Sequence, residues 1–149
     1  MMYRVRANSH TLFLMLLVVL APAGIRAFET APWTVPASAR KMKNPVPVTG
    51  EGVTAAQKLY QQSCASCHGP KGAGPAEEAE SIPEKPANLS DVELIRAATD
   101  GELFWKISTG RPPMPGYENQ YTATERWQLV NYIRQLARRY KYLGNRSRR

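Results

Sequence analysis

The sequence predicts an all-α domain, on three observations. No stretch alternates apolar and polar residues at period two, as half-buried strands do. Near the C-terminus Leu129, Ile133, Leu136 and Tyr140 recur at i, i+4, i+7 and i+11, one face of a helix, with Trp127 and Val130 beside it. Two capping boxes, Thr54-Ala55-Ala56-Gln57 and Thr122-Ala123-Thr124-Glu125, mark helix starts. In each, the hydroxyl and the Gln or Glu side chain satisfy free backbone amides reciprocally.

From the N-terminus, residues 1–27 read as a signal peptide. Met1–His10 carry Arg4 and Arg6 and no acid; Thr11–Ala21 is uncharged and apolar; small residues follow. That is the order of the three regions of a secretory signal. The apolar run falls short of the roughly 20 residues that span a bilayer as a helix, so an uncleaved anchor is the lesser alternative. Cleavage is expected after Ala27, with Ala23 as competitor. No cysteine lies near the apolar run, which excludes a lipid-anchored lipoprotein. The expected location is the periplasm, with membrane association through an uncleaved anchor or a partner complex weighed against it.

Residues 28–50, with Pro32, Pro36, Pro45 and Pro47, read as an extended arm or linker in which no chemistry is visible. A domain is expected over 51–140. Its first helix starts near Thr54, shows Leu59 and Tyr60 on its apolar side, and runs into Cys64-Ala65-Ser66-Cys67-His68-Gly69. Residues 69–89, rich in proline and glycine, form a loop, with Glu77, Glu78 and Glu80 on a solvated turn. A second helix is expected from Asp91 to about Ala98. A third has Asp100 as N-cap and carries Leu103, Phe104 and Ile107, with Gly110 as a left-handed C-terminal cap. Pro112, Pro113 and Pro115 keep "RPPMPGYENQY" out of regular structure. The last helix starts at Thr122, and residues 141–149 are a basic tail.

Charge separates the ends from the body. The chain carries a formal net charge of +8. Without Arg4, Arg6 and Arg26 of the signal, 17 basic residues face 12 acids. Six of the 17 lie in the last dozen residues, so residues 28–137 hold 11 basic and 12 acidic groups. The basic pI therefore gives no argument for a nucleic-acid partner. The tail is a candidate for docking on an acidic membrane complex or anionic headgroups, weighed against a merely solvated tail.

The segment 64–69 holds both cysteines of the chain and, once the signal with His10 is removed, its remaining histidine. Three readings compete. Structural zinc needs four ligands, commonly from two separated pairs, and only Cys64, Cys67 and His68 are present. A thioredoxin-like redox pair belongs beside a βαβ unit, for which the chain offers no strands. The third reading, covalent haem attachment, accounts for all three residues. On a helix, positions 64, 67 and 68 share a face. Two thiols there can form thioethers with the two vinyl groups of one haem edge, and His68 is placed to direct its imidazole at the iron. C-x-x-C-H is the corresponding signature.

The second axial ligand follows by elimination. No second His or spare Cys remains; Met1, Met2 and Met15 leave with the signal; Met42 sits in the arm. Met114 lies between two helices in a loop stiffened by Pro112, Pro113 and Pro115, which suits a weak thioether ligand better than plain core packing does. The expected metal ligands are His68 and Met114, and the cofactor-binding residues Cys64, Cys67, His68 and Met114.

In "LYQQSCASCHG", "KPANLSD", "DGELFWKISTG", "MPGY" and "ERWQLVNYIRQL", in that order over about residues 53–137, the chain resembles class I monohaem c-type cytochromes. The resemblance implies the cytochrome c fold: a small helical bundle around one haem c, its first and last helices crossing, Tyr60 and Trp127 among the packed aromatics. It also implies a proline carbonyl as acceptor for the second ring nitrogen of His68, with Pro86 first and Pro83 second. Leu89 would pack on the haem. Arg111, Trp105 and Tyr117 are candidates for the propionates or ring, although core packing is the stronger reading for Trp105 and Phe104. "GRPPMPGY" departs from the smaller residues many relatives have before the Met.

His/Met ligation leaves no open iron site and raises the potential relative to bis-His haem. The function expected is one-electron transfer, with no catalysis, between periplasmic or membrane redox proteins. A fixed electron-transfer subunit of a larger respiratory or dehydrogenase complex is the alternative. A haem sensor or peroxidase with a labile Met is the minor one.

Overall fold

The first long helix begins where a threonine meets a free backbone amide, and that threonine is Thr49. Its hydroxyl accepts from Gly52 N at 3.1 Å, so the helix starts at Gly50. Thr54 instead turns its hydroxyl back onto Gly50 O, inside the helix. The predicted start near Thr54 is thus corrected by one turn: Gly50 and Gly52 hid the true cap, because glycine is a poor interior residue of a helix.

The computed structural model describes residues 33–76 and 79–146, with side chains through 139. The proposed signal peptide 1–27, Glu77, Glu78, the Tyr140 side chain and the charges of the 141–149 tail lie outside the described residues. Among the described residues six helices follow in order: α1 Ala37–Lys41, α2 Gly50–Ser63, α3 Ala65–His68, α4 Val92–Ala97, α5 Asp100–Thr109 and α6 Ala123–Arg146. Among the described residues there is no strand, only an isolated backbone bridge between Arg111 and Met114. The all-α expectation holds.

Four of the described helices start at a side-chain cap. Asp91 accepts from Glu93 N and Leu94 N and caps α4. Thr99, not Asp100, caps α5 by accepting from Glu102 N at 3.1 Å. Asp100 is then free to pair with Arg134 of α6. At Thr122 the predicted capping box is present: Glu125 N donates to the Thr122 hydroxyl, and the Glu125 carboxylate accepts from Thr122 N at 2.8 Å.

The core forms where α6 crosses α2 and packs on α4 and α5. Tyr60, Leu129 and Val130 are fully buried at its centre. The Tyr60 ring tilts against Tyr132 at 5.2 Å, and Phe104 stacks on Trp127 at 4.0 Å. Arg126 is also buried; it donates to the Tyr121 carbonyl and the Ser108 hydroxyl and lies over the Phe104 ring.

Residues 33–49 belong to the same compact unit as the helices that follow. Val35 and Ala39 are buried, and α1 lies against α5. Gly101 makes this approach feasible: a side chain there would run into Ala39 O and into Met42 Cβ at 2.8 Å. Asn44 donates to Asn131 Oδ1 at 2.8 Å, and Asn131 donates to Val46 O, so two amides stitch the segment to α6. The part of the 28–50 arm that is described is laid onto the domain.

Candidate functional site

Cys64 sits at the junction of α2 and α3, where the chain bends. The turn keeps 64, 67 and 68 together: Cys67 N and His68 N both donate to Cys64 O, at 3.2 and 2.8 Å. Gly69 follows with φ 77°, and a side chain there would press on Gly74 O. The chain can therefore double back immediately after His68, which a β-carbon would oppose.

Three tyrosines brace this turn. Tyr60 donates to Gly69 O at 2.8 Å, and Tyr117 donates to Ser63 O at 2.7 Å. The Tyr121 hydroxyl meets the Ser63 hydroxyl at 2.5 Å. Burial pushes the Tyr60 phenol well above its ordinary range and that of Tyr117 up to about 12. Both remain hydrogen-bond donors throughout the physiological range. The sequence singles out Tyr60 for packing and Tyr117 for the propionates or ring, but not these bonds to Ser63, which join residues 54 and 58 positions apart.

His68 is half-buried, and its Nδ1 lies 2.9 Å from Ala87 O. Such a bond to a carbonyl fixes ring orientation and leaves Nε2 as the nitrogen available to a metal. The acceptor expected from the resemblance was Pro86 or Pro83. The structure places it one residue past Pro86, at Ala87 O, just ahead of a turn at Asn88. That turn is tied by Asn88 Oδ1, which accepts from Ser90 N and Ser90 Oγ. Desolvation lowers the His68 pKa, favouring the neutral ring that a metal needs.

Across from this turn, Met114 is held by its own backbone. Arg111 N donates to Met114 O at 2.9 Å and Met114 N to Arg111 O at 2.7 Å, a tight loop containing a cis Pro112–Pro113 bond. The next residues return along α5: Tyr117 N donates to Ile107 O and Glu118 N to Ser108 O. Gly110 and Gly116 lie face to face in this return. Gly110 was expected to be a left-handed cap, but its φ 64°, ψ 176° falls in a region open essentially to glycine alone.

Between the two lies a cavity of about 380 Å³, within the size range of small-molecule and cofactor pockets. Cys64, Cys67, His68 and Met114 all line it, which brings the four sequence-predicted site residues onto one space. Ile95, Leu103, Ile107, Leu129 and Ile133 supply an apolar interior, and Leu89 lies on the wall as expected. Arg111 and Tyr117 also line it; Trp105 does not, and it packs instead against Trp33. Met42, the other methionine considered, packs beside Gly101 and is absent from the cavity wall.

Trp33 is the residue that sequence reasoning missed. It lines the cavity from a segment read as chemically silent. A lone tryptophan in a proline-rich stretch was the available signal, since large aromatics seldom sit on a free linker.

The chemistry of the donor set sorts the three readings of the cysteine pair. Among the described residues no cluster of three or more Cys, His, Asp or Glu side chains is arranged to hold a metal by itself, which disfavours zinc. Burial, followed by the neighbouring Cys67, pushes the Cys64 thiol up to about 12. A nucleophilic redox pair needs the opposite shift. An apolar slot with two thiols and an oriented imidazole on one side and a thioether on the other does fit a haem.

A helical cage of this kind, with C-x-x-C-H at its mouth, is the arrangement of a c-type cytochrome domain. Residues 51–133 match the family model described as cytochrome c oxidase, cbb3-type, subunit III, and the chain belongs to that family. A solved structure titled "KustC0563 c-type cytochrome" is 28% identical, with 54% of this chain and 95% of that one covered at a TM-score of 0.49. A search of curated proteins found no match. Membership means covalently bound haem c with its iron, and haem-based electron transfer.

Proposed function

We propose that Cys64 and Cys67 form the two thioethers to the haem, that His68 Nε2 and Met114 Sδ are the axial ligands, and that the protein is a one-electron carrier. The observation supporting this is the convergence of all four side chains on one apolar cavity, with the His68 ring already oriented by Ala87 O. When bound, the haem supplies a one-electron ferric/ferrous couple. The chain's part would be to hold the iron through His68 and Met114 in both oxidation states. His68 is held through Ala87 O and the tyrosine-braced turn, and Met114 through the Arg111 bridge and the strap along α5. Because the ligands stay in place, little rearrangement accompanies electron transfer.

Export to the periplasm, cleavage after Ala27 and redox partner proteins as donor and acceptor complete the proposal. The apolar run of the signal and the separation of charge between ends and body support it. Among the described residues no helix is long and apolar enough to cross a membrane. A second reading, a fixed electron-transfer subunit of a larger complex docked through the basic tail, is favoured by the family description as an oxidase subunit. Co-purification from native membranes with and without high salt separates the two: a free carrier is recovered in the soluble fraction in both.

Met114→Ala tests the ligation. It should lower the reduction potential and open the iron, so that the reduced variant binds carbon monoxide while the wild type does not. An unchanged spectrum and potential removes Met114 as ligand. Rapid carbon monoxide binding by the wild type at neutral pH would turn the reading towards a sensor or peroxidase.

A further inference from the structure

Trp33 lies ahead of the region matched by the family model, yet it lines the cavity that Cys64, His68 and Met114 share. Its ring is gripped on several sides. Trp105 meets it edge-on at 6.4 Å and 60°; Lys106 Nζ lies 5.6 Å and Arg111 Cζ 5.0 Å from its centroid. Arg111 is itself ion-paired with Glu84, another cavity residue. Two cations against one indole make a favourable cation–π arrangement, worth more as water is excluded. The ring is therefore a fixed wall of the cavity.

We infer that Trp33 is a positioning residue for electron transfer: it shields one edge of the haem from water and thereby raises the reduction potential. This rests on the proposed seating of the haem in that cavity. The ferric state carries one more positive charge than the ferrous, so a water-poor, low-dielectric surrounding disfavours it. Removing the indole admits water and stabilises the ferric state. The arm stays in place without the ring, because Val35 and Ala39 are buried and the Asn44–Asn131 bonds hold it independently.

The test uses the full-length holoprotein with Trp33→Ala and Trp33→Phe, read by potentiometric titration and by stopped-flow reduction with ascorbate. Trp33→Ala should shift the potential downward and yet speed reduction severalfold. A lower potential weakens the driving force, so a faster reaction can only come from a more accessible edge. Trp33→Phe should stay close to wild type in both. Unchanged potential and rate in Trp33→Ala, or an equal shift in Trp33→Phe, overturns the inference. Should Trp33→Ala lose its helical circular dichroism, Trp33→Leu, apolar but smaller, carries the same test with shifts between the other two variants. Haem that washes off the denatured wild type would overturn the thioether proposal together with this inference. Covalent haem with an unmoved potential overturns this inference alone.

Discussion

Gly110→Ala is expected to disturb Met114 from a distance, without touching it chemically. At φ 64° and ψ 176° the backbone of Gly110 lies in a region that costs a residue with a β-carbon about 1–3 kcal/mol. The new methyl would also sit 2.7 Å from Met114 O and closer still to Gly116 N and the Pro115 carbonyl carbon. These are backbone atoms, so no side-chain rotation relieves the clash; the strap 114–116 has to move off α5. Two hydrogen bonds oppose that movement, Tyr117 N to Ile107 O at 3.0 Å and Glu118 N to Ser108 O at 3.2 Å. Losing both adds about 1–3 kcal/mol at the usual net value of each. The total, about 2–6 kcal/mol, is a large part of the roughly 5–15 kcal/mol available to a domain of this size. Guanidinium unfolding of the oxidised holoprotein should show the loss in the midpoint, and the reduced variant should begin to bind carbon monoxide as Met114 loosens. Thr109→Ala, next door and exposed, serves as control. A Gly110→Ala protein within about 0.5 kcal/mol of wild type, and closed to carbon monoxide, would refute the reasoning.

Tyr117→Phe should cost about 1–2 kcal/mol in denaturant unfolding, because it leaves the partly buried Ser63 carbonyl without this donor just ahead of Cys64. The same hydroxyl gives an alkaline signature. Its folded pKa, about 12, exceeds the ordinary value of about 10, so its contribution is complete below pH 10 and is lost as pH rises towards 12; Tyr117→Phe should flatten that part of the stability–pH curve. Thr49→Ala should lower the thermal midpoint as expected for a lost N-cap of about 1 kcal/mol, whereas Thr54→Ala, which caps nothing, should leave it near wild type. Arg134→Met should cost about 2–4 kcal/mol by chemical denaturation, since Ile95 O, Ala98 O and Asp100 all lose their donor.

What the sequence made legible was local. Cys64, Cys67 and His68 are close in the chain, and helical spacing alone puts them on one face. The α6 stripe and the Thr122 box likewise lie within a few turns. Misreadings began where two elements compete for one residue. Asp100 looks like a cap until Arg134, 34 residues away, claims its carboxylate and leaves Thr99 to cap α5. Pro86 looked like the acceptor for His68, but the Asn88 turn offers Ala87 O instead. The placement of Trp33 could not be read from its neighbours, because its partners, Trp105, Lys106 and Arg111, lie more than 70 positions downstream. Periodicity carries no signal for a single aromatic anchored by long-range contacts.

The two proposed axial ligands are held by different parts of the fold, and this bears on how the potential is set. His68 depends on the loop that follows it, through Ala87 O, and on hydroxyls donated by α2 and the 117–121 segment. Met114 depends on the end of α5, through Gly110 and the Ile107 and Ser108 carbonyls. Tyr117 belongs to both supports: its amide pins the Met114 strap to Ile107, while its hydroxyl pins Ser63 beside the attachment turn. A shift of the strap is therefore felt on the His68 side through one rigid ring, and the reverse also holds. Changes at Gly110 and Tyr117 should consequently be non-additive in stability, as expected for residues in one hydrogen-bonded network. A double variant whose loss equals the sum of the single losses would show the two ligand supports to be independent.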